Sequence, residues 1–198
     1  MKKTLWLSSQ SPRRAELLSQ IGVWFRLLVA DIDETPSAGE AANDYVERMA
    51  REKAEAGFAN LGPESGVAVV LGADTAVVVD GDILGKPVNA EQARQMLQRL
   101  SGREHEVLSA VCVRDAERSR SAICVSRVQF EKLTDERISA YLALNDYADK
   151  AGAYGIQGAA AAFIAHLDGS YSAVMGLPLY ETAGLLDDFQ IDYALVKR

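Results

Sequence analysis

The sequence predicts an α/β protein built on a mixed β-sheet flanked by helices. Three observations lead there. Strand-like apolar runs alternate with helical patterns through the first hundred residues, which is the arrangement that yields parallel strands. Two stretches instead place strands back to back across turn residues: "VVVDGDILG", turning at Asp80-Gly81, and residues 105–131, turning near "DAERS". Consecutive antiparallel pairs beside alternating elements indicate a mixed sheet and not a uniformly doubly wound one. Finally, 198 residues at 48% hydrophobic and 25% charged, without an internal repeat, low-complexity tract or Pro/Gly linker, fit one domain. The 105–131 hairpin is long enough to be expected to reach across two lobes and leave a cleft between them.

In chain order, strands are expected at residues 4–8, 24–29, 67–72, 75–80, 105–114, 120–131 and 161–167. Helices are expected near 11–21, 42–60, 89–100, 134–144 and 178–188. The first helix follows "SSQSPRRAELLSQIG": Ser11 suits its cap, Pro12 its first turn, Leu17, Leu18 and Ile21 its apolar face, and Gly22 its end. Arg13 and Arg14 therefore stand at a helix N-terminus, where free N–H groups, the dipole and two guanidinium groups all favour an anion. Asn89 caps the 89–100 helix by the same logic.

The net charge of −7 argues against broad binding to nucleic acid or to an anionic membrane. No apolar run reaches the roughly 18 residues of a membrane span. The apolar stretch after Met1-Lys2-Lys3 breaks at Ser8, so no signal peptide is read, and the cytoplasm is the expected location. Cys112 and Cys124 lie in strand patterns; they either face one another across the hairpin or are buried, reduced thiols, the latter being the preferred reading. His105 and His166 are read as structural, because neither has a second ligand at metal-binding spacing. There is no Walker pattern, no GxGxxG after a strand and no GxSxG elbow.

Several polar groups call for a reason. Asp74 interrupts the β-branched run "VAVVLGADTAVVVD". It is either a cleft carboxylate at a kink near Gly72 or a turn aspartate between two strands, since a bare carboxylate in a buried strand costs several kcal/mol. Lys86, held extended before Pro87, either meets an anion at the next helix or is a solvated loop lysine. Asp31, Asp33 and Glu34 suit a hard divalent cation or an exposed acidic loop, the loop being the preferred reading from these residues alone. On "AREKAEAG", Arg48, Arg51, Glu52, Lys53 and Glu55 mix signs as a solvated face does, with Arg51 and Glu55 paired at i,i+4. Gly152, Gly155 and Gly158 surround Gln157, whose amide either reads a nucleobase edge or belongs to a tight structural loop.

Taken in order, "SSQSPRR", "DET", "AREKA", "LGADT", "GKP", "DKAGAYGIQG" and "GSYSAVMGLP" resemble the Maf family of nucleoside triphosphate pyrophosphatases, and they run from residue 8 to residue 178. The resemblance implies a Maf/ITPase-like fold, an elongated mixed sheet with two lobes and a central cleft in a single domain over 1–198, commonly as a homodimer. It implies hydrolysis of a nucleoside triphosphate to the monophosphate and pyrophosphate with a divalent metal such as Mg or Mn. Arg13 and Arg14 match arginines that hold the triphosphate, and Ser8, which opens the first motif, is placed with them. Glu34, Lys53, Asp74 and Lys86 match the other polar cleft positions, Glu34 and Asp74 as metal ligands and Asp74 also as proton acceptor. Arg-Arg after Ser-Pro, Thr75 and Gln157 look like the branch acting on dTTP and UTP; the branch preferring 7-methyl-GTP differs at these places. Asn89 departs from the acidic residue common after the KP motif. Two rival functions are a nucleotide-binding regulator of cell division with little turnover, and clearance of noncanonical purine triphosphates such as inosine triphosphate.

Overall fold

The computed structural model describes residues 3–196, without the side chains of residues 63–65; Met1 and Lys2, part of the stretch read above as not being a signal peptide, lie outside the described residues. The elements run β1 (Thr4–Ser8), α1 (Pro12–Gln20), β2 (Phe25–Leu28), α2 (Ala42–Ala59), β3 (Ala68–Val79), β4 (Asp82–Leu84) and α3 (Ala90–Leu100). They continue with β5 (Glu104–Arg114), β6 (Ser119–Phe130), α4 (Asp135–Ala143), β7 (Ile164–Asp168), α5 (Tyr171–Met175) and α6 (Leu179–Asp188). One seven-stranded sheet has the order β2-β1-β3-β5-β6-β7, with β4 also paired to β3. β1 is parallel to β2 and β3, and every other pair is antiparallel, which is the expected mixed sheet.

β3 organises the molecule. Along one edge it pairs with β5 from Val70 to Val78. Its opposite edge is shared: β1 takes Ala68 to Gly72, and β4 takes Val77 to Val79. Residues 73–76 therefore have a neighbouring strand on one edge only, and the sheet is notched beside them.

The pleat sends alternate β3 side chains to opposite faces. On one face Val69 and Leu71 join Leu5, Leu7, Leu17, Leu18, Leu185, Leu186 and Phe189 in a cluster covered by α1 and α6. Farther along that face Val77 and Val79 join Leu97, Leu100, Phe130 and Tyr141 beneath α3 and α4. On the other face Ala76 and Val78 pack against Val46, Met49, Ala50 and Ala54 of α2. Each fully buried leucine contributes about 1.5–3 kcal/mol relative to exposure. Gly72 lets α2 lie directly on the strand: a Cβ there would stand 2.4 Å from the Ala50 carbonyl oxygen and 2.5 Å from the Ala54 nitrogen.

Most expected elements are present, with four corrections. The runs at 67–72 and 75–80 are one continuous strand, so Gly72 is a docking point for a helix and Asp74 is not a turn residue. The strand expected over 161–167 begins at Ile164, because Ala159–Phe163 wind into a 3₁₀ turn. Tyr171–Met175 form a short helix, α5, absent from the expected set, whose cap is Ser170, accepting from the Ala173 N–H. Ser11 occupies the cap position of α1 but makes no side-chain cap bond; the Ser9 hydroxyl accepts from the Ser11 N–H instead. Asn89 does cap α3, accepting from the Gln92 N–H at 2.8 Å. Cys112 and Cys124 are free thiols: they stand opposite Ser121 and Ser109 in the ladder, on opposite faces of the hairpin. Among the described residues no helix is long and apolar enough to cross a membrane.

Candidate active site

The notch beside residues 73–76 opens into a cavity of about 1100 Å³. All nine residues singled out from the sequence line it: Ser8, Arg13, Arg14, Glu34, Lys53, Asp74, Thr75, Lys86 and Gln157.

Its floor is an ion cluster. Lys53 projects from α2 toward β3, and its ammonium lies 2.7 Å from Asp74 Oδ1 and 2.6 Å from Glu34 Oε1. Asp74 is buried in mid-strand, so this pairing is what makes an ionised carboxylate tolerable there. The mixed-sign helix face is thus not uniformly solvated: Lys53 is buried, while Arg51 and Glu55 form the exposed i,i+4 pair. Ser8 does not aim its hydroxyl at the opening; it donates to the Lys53 carbonyl at 2.8 Å and ties α2 to the end of β1. Glu34 lies on the irregular segment between β2 and α2 with its side chain about half exposed. Burial works to raise its pKa, but the bond and charge of Lys53, with Lys86 and Arg14, prevail and hold it below the usual carboxylate value.

The wall comes from α1. The buried Arg14 donates from Nε to the Gly176 carbonyl at 2.8 Å and from Nη1 to Ser9 Oγ at 3.1 Å. Burial lowers its pKa, opposed by the charges of Asp74 and Glu34; an arginine so placed remains a cation. Arg13 reaches across the cavity mouth to Asp149 at 2.8 Å. Asp149 also meets Lys150 at 2.7 Å, and Lys150 meets Asp146 at 2.9 Å. Burial raises the Asp149 pKa, but those bonds to Lys150 and Arg13 more than offset it and bring it down to about 2.

Thr75 points to the opposite face of the sheet from Asp74, toward α5. Ser109, fully buried on β5, gives its hydroxyl proton to the Ala173 carbonyl at 2.5 Å, so it can only accept from Thr75 Oγ1, 2.8 Å away. That leaves the Thr75 oxygen as an acceptor for whatever enters. Lys86 and Gln157 are exposed at the rim. Their segments are joined where the Gly152 N–H bonds the Gly85 carbonyl at 3.1 Å, and Gly152 is itself pressed against Val77, 2.9 Å from where its Cβ would be.

Sequence reasoning missed Tyr45, Ser109, Asp146, Asp149, Lys150 and Gly176. Asp149 and Lys150 head the quoted "DKAGAYGIQG", so a signal was present; Ser109 sits in an ordinary strand pattern and offered none. Arg48, read as part of a solvated face, in fact donates to both carboxylate oxygens of Glu40, at 2.6 and 2.7 Å. His105 is structural as expected: buried, bonded to the Tyr154 hydroxyl at 2.7 Å, and lowered by burial to about 4.

The cavity lining carries five basic side chains (Arg13, Arg14, Lys53, Lys86, Lys150) and five acidic ones (Asp31, Glu34, Asp74, Asp146, Asp149), although the chain as a whole is strongly acidic. Among the described residues no group of three or more His, Cys, Asp or Glu forms a metal cage. Glu34 and Asp74 nevertheless converge on one point, the Lys53 ammonium, and two carboxylates are the protein's usual share of a Mg²⁺ site that phosphate oxygens and water complete. The donor set fits such an ion.

A notched mixed sheet beside a cleft that sets cations against a convergent carboxylate pair defines the class, an α/β protein with a charged cleft of small-molecule size. Comparison with known proteins gives the family. The Maf-like protein family model matches residues 4–189, and the chain belongs to that family. It is 51% identical to the dTTP/UTP pyrophosphatase of Aromatoleum aromaticum, covering 93% of this chain and 95% of that one. It is 54% identical to the dTTP/UTP pyrophosphatase of Methylococcus capsulatus, over 92% and 89% of the two chains. For the Escherichia coli K12 protein of that name the identity is 48%, over 94% and 93%. A solved nucleoside-triphosphatase / dITP/XTP pyrophosphatase from Mycobacterium abscessus is more distant, with a TM-score of 0.44 and 15% identity over 94% and 95% of the chains.

Proposed function

We propose that the cleft hydrolyses dTTP and UTP to the nucleoside monophosphate and pyrophosphate. The observation that carries this reading is the Lys53 ammonium bridging Asp74 and Glu34 in the same cavity as Arg13, Arg14 and Lys86. The dTTP/UTP pyrophosphatases that share about half of its residues over nearly their whole length support the substrate.

In this mechanism water attacks the α-phosphorus and pyrophosphate leaves. Negative charge spreads over phosphate oxygens, so catalysis rests on positioned cations. The Arg13 and Arg14 forks hold phosphate oxygens, and Lys53 and Lys86 act as point charges. Glu34 and Asp74 are the residues that would hold a divalent cation such as Mg or Mn, which when bound neutralises phosphate charge. Asp74 orients the attacking water and takes its proton. Thr75, an acceptor, and Gln157, a donor and acceptor at the rim, read the pyrimidine edge; a hydrogen-bonding site rejects analogues that leave its groups unpaired. Two apolar clusters flanking the cleft support a single domain of two lobes, and the family resemblance supports a homodimer acting in the cytoplasm on a small-molecule nucleotide, without nucleic acid.

The test is pyrophosphate release from UTP, dTTP, CTP, inosine triphosphate and 7-methyl-GTP with added Mg or Mn. Release from UTP and dTTP at least about tenfold faster than from the others is expected, the discrimination a few well-placed contacts supply. Inosine triphosphate as the best substrate would replace this reading with purine clearance. Nucleotide binding without release would replace it with a regulatory role, including one in cell division.

A further inference from the structure

Glu34 is a site residue on a segment without regular structure. Residues 29–41, between β2 and α2, contain neither strand nor helix, yet the Glu34 carboxylate stands 2.6 Å from the Lys53 ammonium. A segment of this length would ordinarily sample many conformations, so something must fix it. The fixing groups are on α2. Tyr45 donates its hydroxyl to the Glu34 carbonyl at 3.0 Å. Burial, with the nearby Asp74 and Glu34 charges, pushes that phenol up to about 12, so it stays a donor. Arg48 donates from Nη2 to the Thr35 carbonyl at 3.1 Å and grips Glu40 with Nε and Nη2. Glu40 in turn accepts from the Ser37 N–H at 2.9 Å. Arg48 also lies over the Tyr45 ring, 5.7 Å from its centre. Glu34 is thus held at its own carbonyl and at the next one, by the helix that carries Lys53. Tyr45 and Lys53, eight residues apart, share one helix face, so a single rigid element measures both partners of the ion pair.

We propose that Arg48, through its bidentate grip on Glu40 and its bond to Thr35, is a positioning residue that delivers the Glu34 carboxylate to Lys53 and Asp74, with Tyr45 as its second anchor. This rests on the reading of Glu34 as a working site residue, and the test separates the two. A bidentate guanidinium clamp is not reproduced by an ammonium, so Arg48→Lys should behave nearly as Arg48→Met.

The experiment is a double-mutant cycle on UTP turnover with Arg48→Met and Glu34→Gln, accompanied by amide hydrogen exchange over residues 33–37. Glu34→Gln should lower kcat. Arg48→Met alone should lower kcat about tenfold and speed exchange in 33–37, yet lower kcat no more than about twofold further when Glu34 is already Gln. Equal losses in both backgrounds, no loss in either, or unchanged exchange would overturn the assignment. Should Arg48→Met fail to fold, Tyr45→Phe, which removes only a hydroxyl, enters the same cycle with the same criteria. If Glu34→Gln alone leaves kcat unchanged, it is the reading of Glu34 that fails, and the inference falls with it.

Discussion

Asp74 and Glu34 make nearly the same contact with one ammonium and are kept there by opposite means. Asp74 projects from a twelve-residue strand paired along its β5 edge from Val70 to Val78, with its side chain about one-eighth exposed. Glu34 projects from an irregular segment, half exposed, and reaches the same nitrogen because α2 ties its backbone down. A buried charge on a rigid strand has no alternative to its partner, so the pair is obligatory there. An exposed charge on a tethered segment can exchange its partner for water or a ligand at small cost. Under the proposed function the contrast would suit a division of labour, with Asp74 keeping one position and Glu34 adjusting as the nucleotide enters.

The contrast can be broken most severely at the shared partner. Lys53→Met leaves Asp74 charged, buried and unpaired, and should cost about 3–5 kcal/mol of stability, measured as a shift in the urea midpoint at neutral pH; a loss below about 1 kcal/mol would mean that Asp74 is solvated after all. Next comes Asp74→Asn, which keeps size but removes charge. Turnover of UTP should fall by at least about a hundredfold in folded protein, and near-normal turnover would remove Asp74 from the chemistry. The smallest effect belongs to Glu34 and pH. Its folded pKa is depressed below the ordinary 4.5, so its contribution to stability is present above that value and is lost as pH falls through the folded one. Denaturation midpoints followed from about pH 5 to about pH 3 should therefore decline less steeply in Glu34→Gln than in the parent; parallel curves would show that Lys53 does not hold Glu34 in solution.

The same two residues mark how far the sequence could be read. Secondary structure was legible almost throughout, because periodicity and caps such as Asn89 are local. Asp74 was visible as an anomaly, but its setting was not. Gly72 resembles a break in a strand, whereas its missing side chain serves α2, an element far away in sequence. Lys53 and Lys86 were indistinguishable from solvated lysines until the motif order suggested a family; the partners of Lys53, Glu34 and Asp74, lie outside its helix and far from it in sequence. Arg48 was misread for a related reason. Its partner Glu40 is eight residues away and outside the helix, so the i,i+4 rule that found Arg51 and Glu55 could not find it. The long-range pairing of Arg13 with Asp149, 136 residues apart, lay beyond any local signal.

The ladder between β3 and β5 has a chemical duty as well as a mechanical one. Asp74 and Thr75 are consecutive, and the pleat aims them to opposite sides of the sheet, the first at an ammonium and the second at a serine that dictates its proton. Sliding β3 by a single position would turn each to the other face, taking the carboxylate from the lysine and the hydroxyl from the serine. Nine successive partners, from Val70 with Arg114 to Val78 with Glu106, hold the alignment. A slipped ladder would therefore withdraw the right functional group from each side before it unfolded anything.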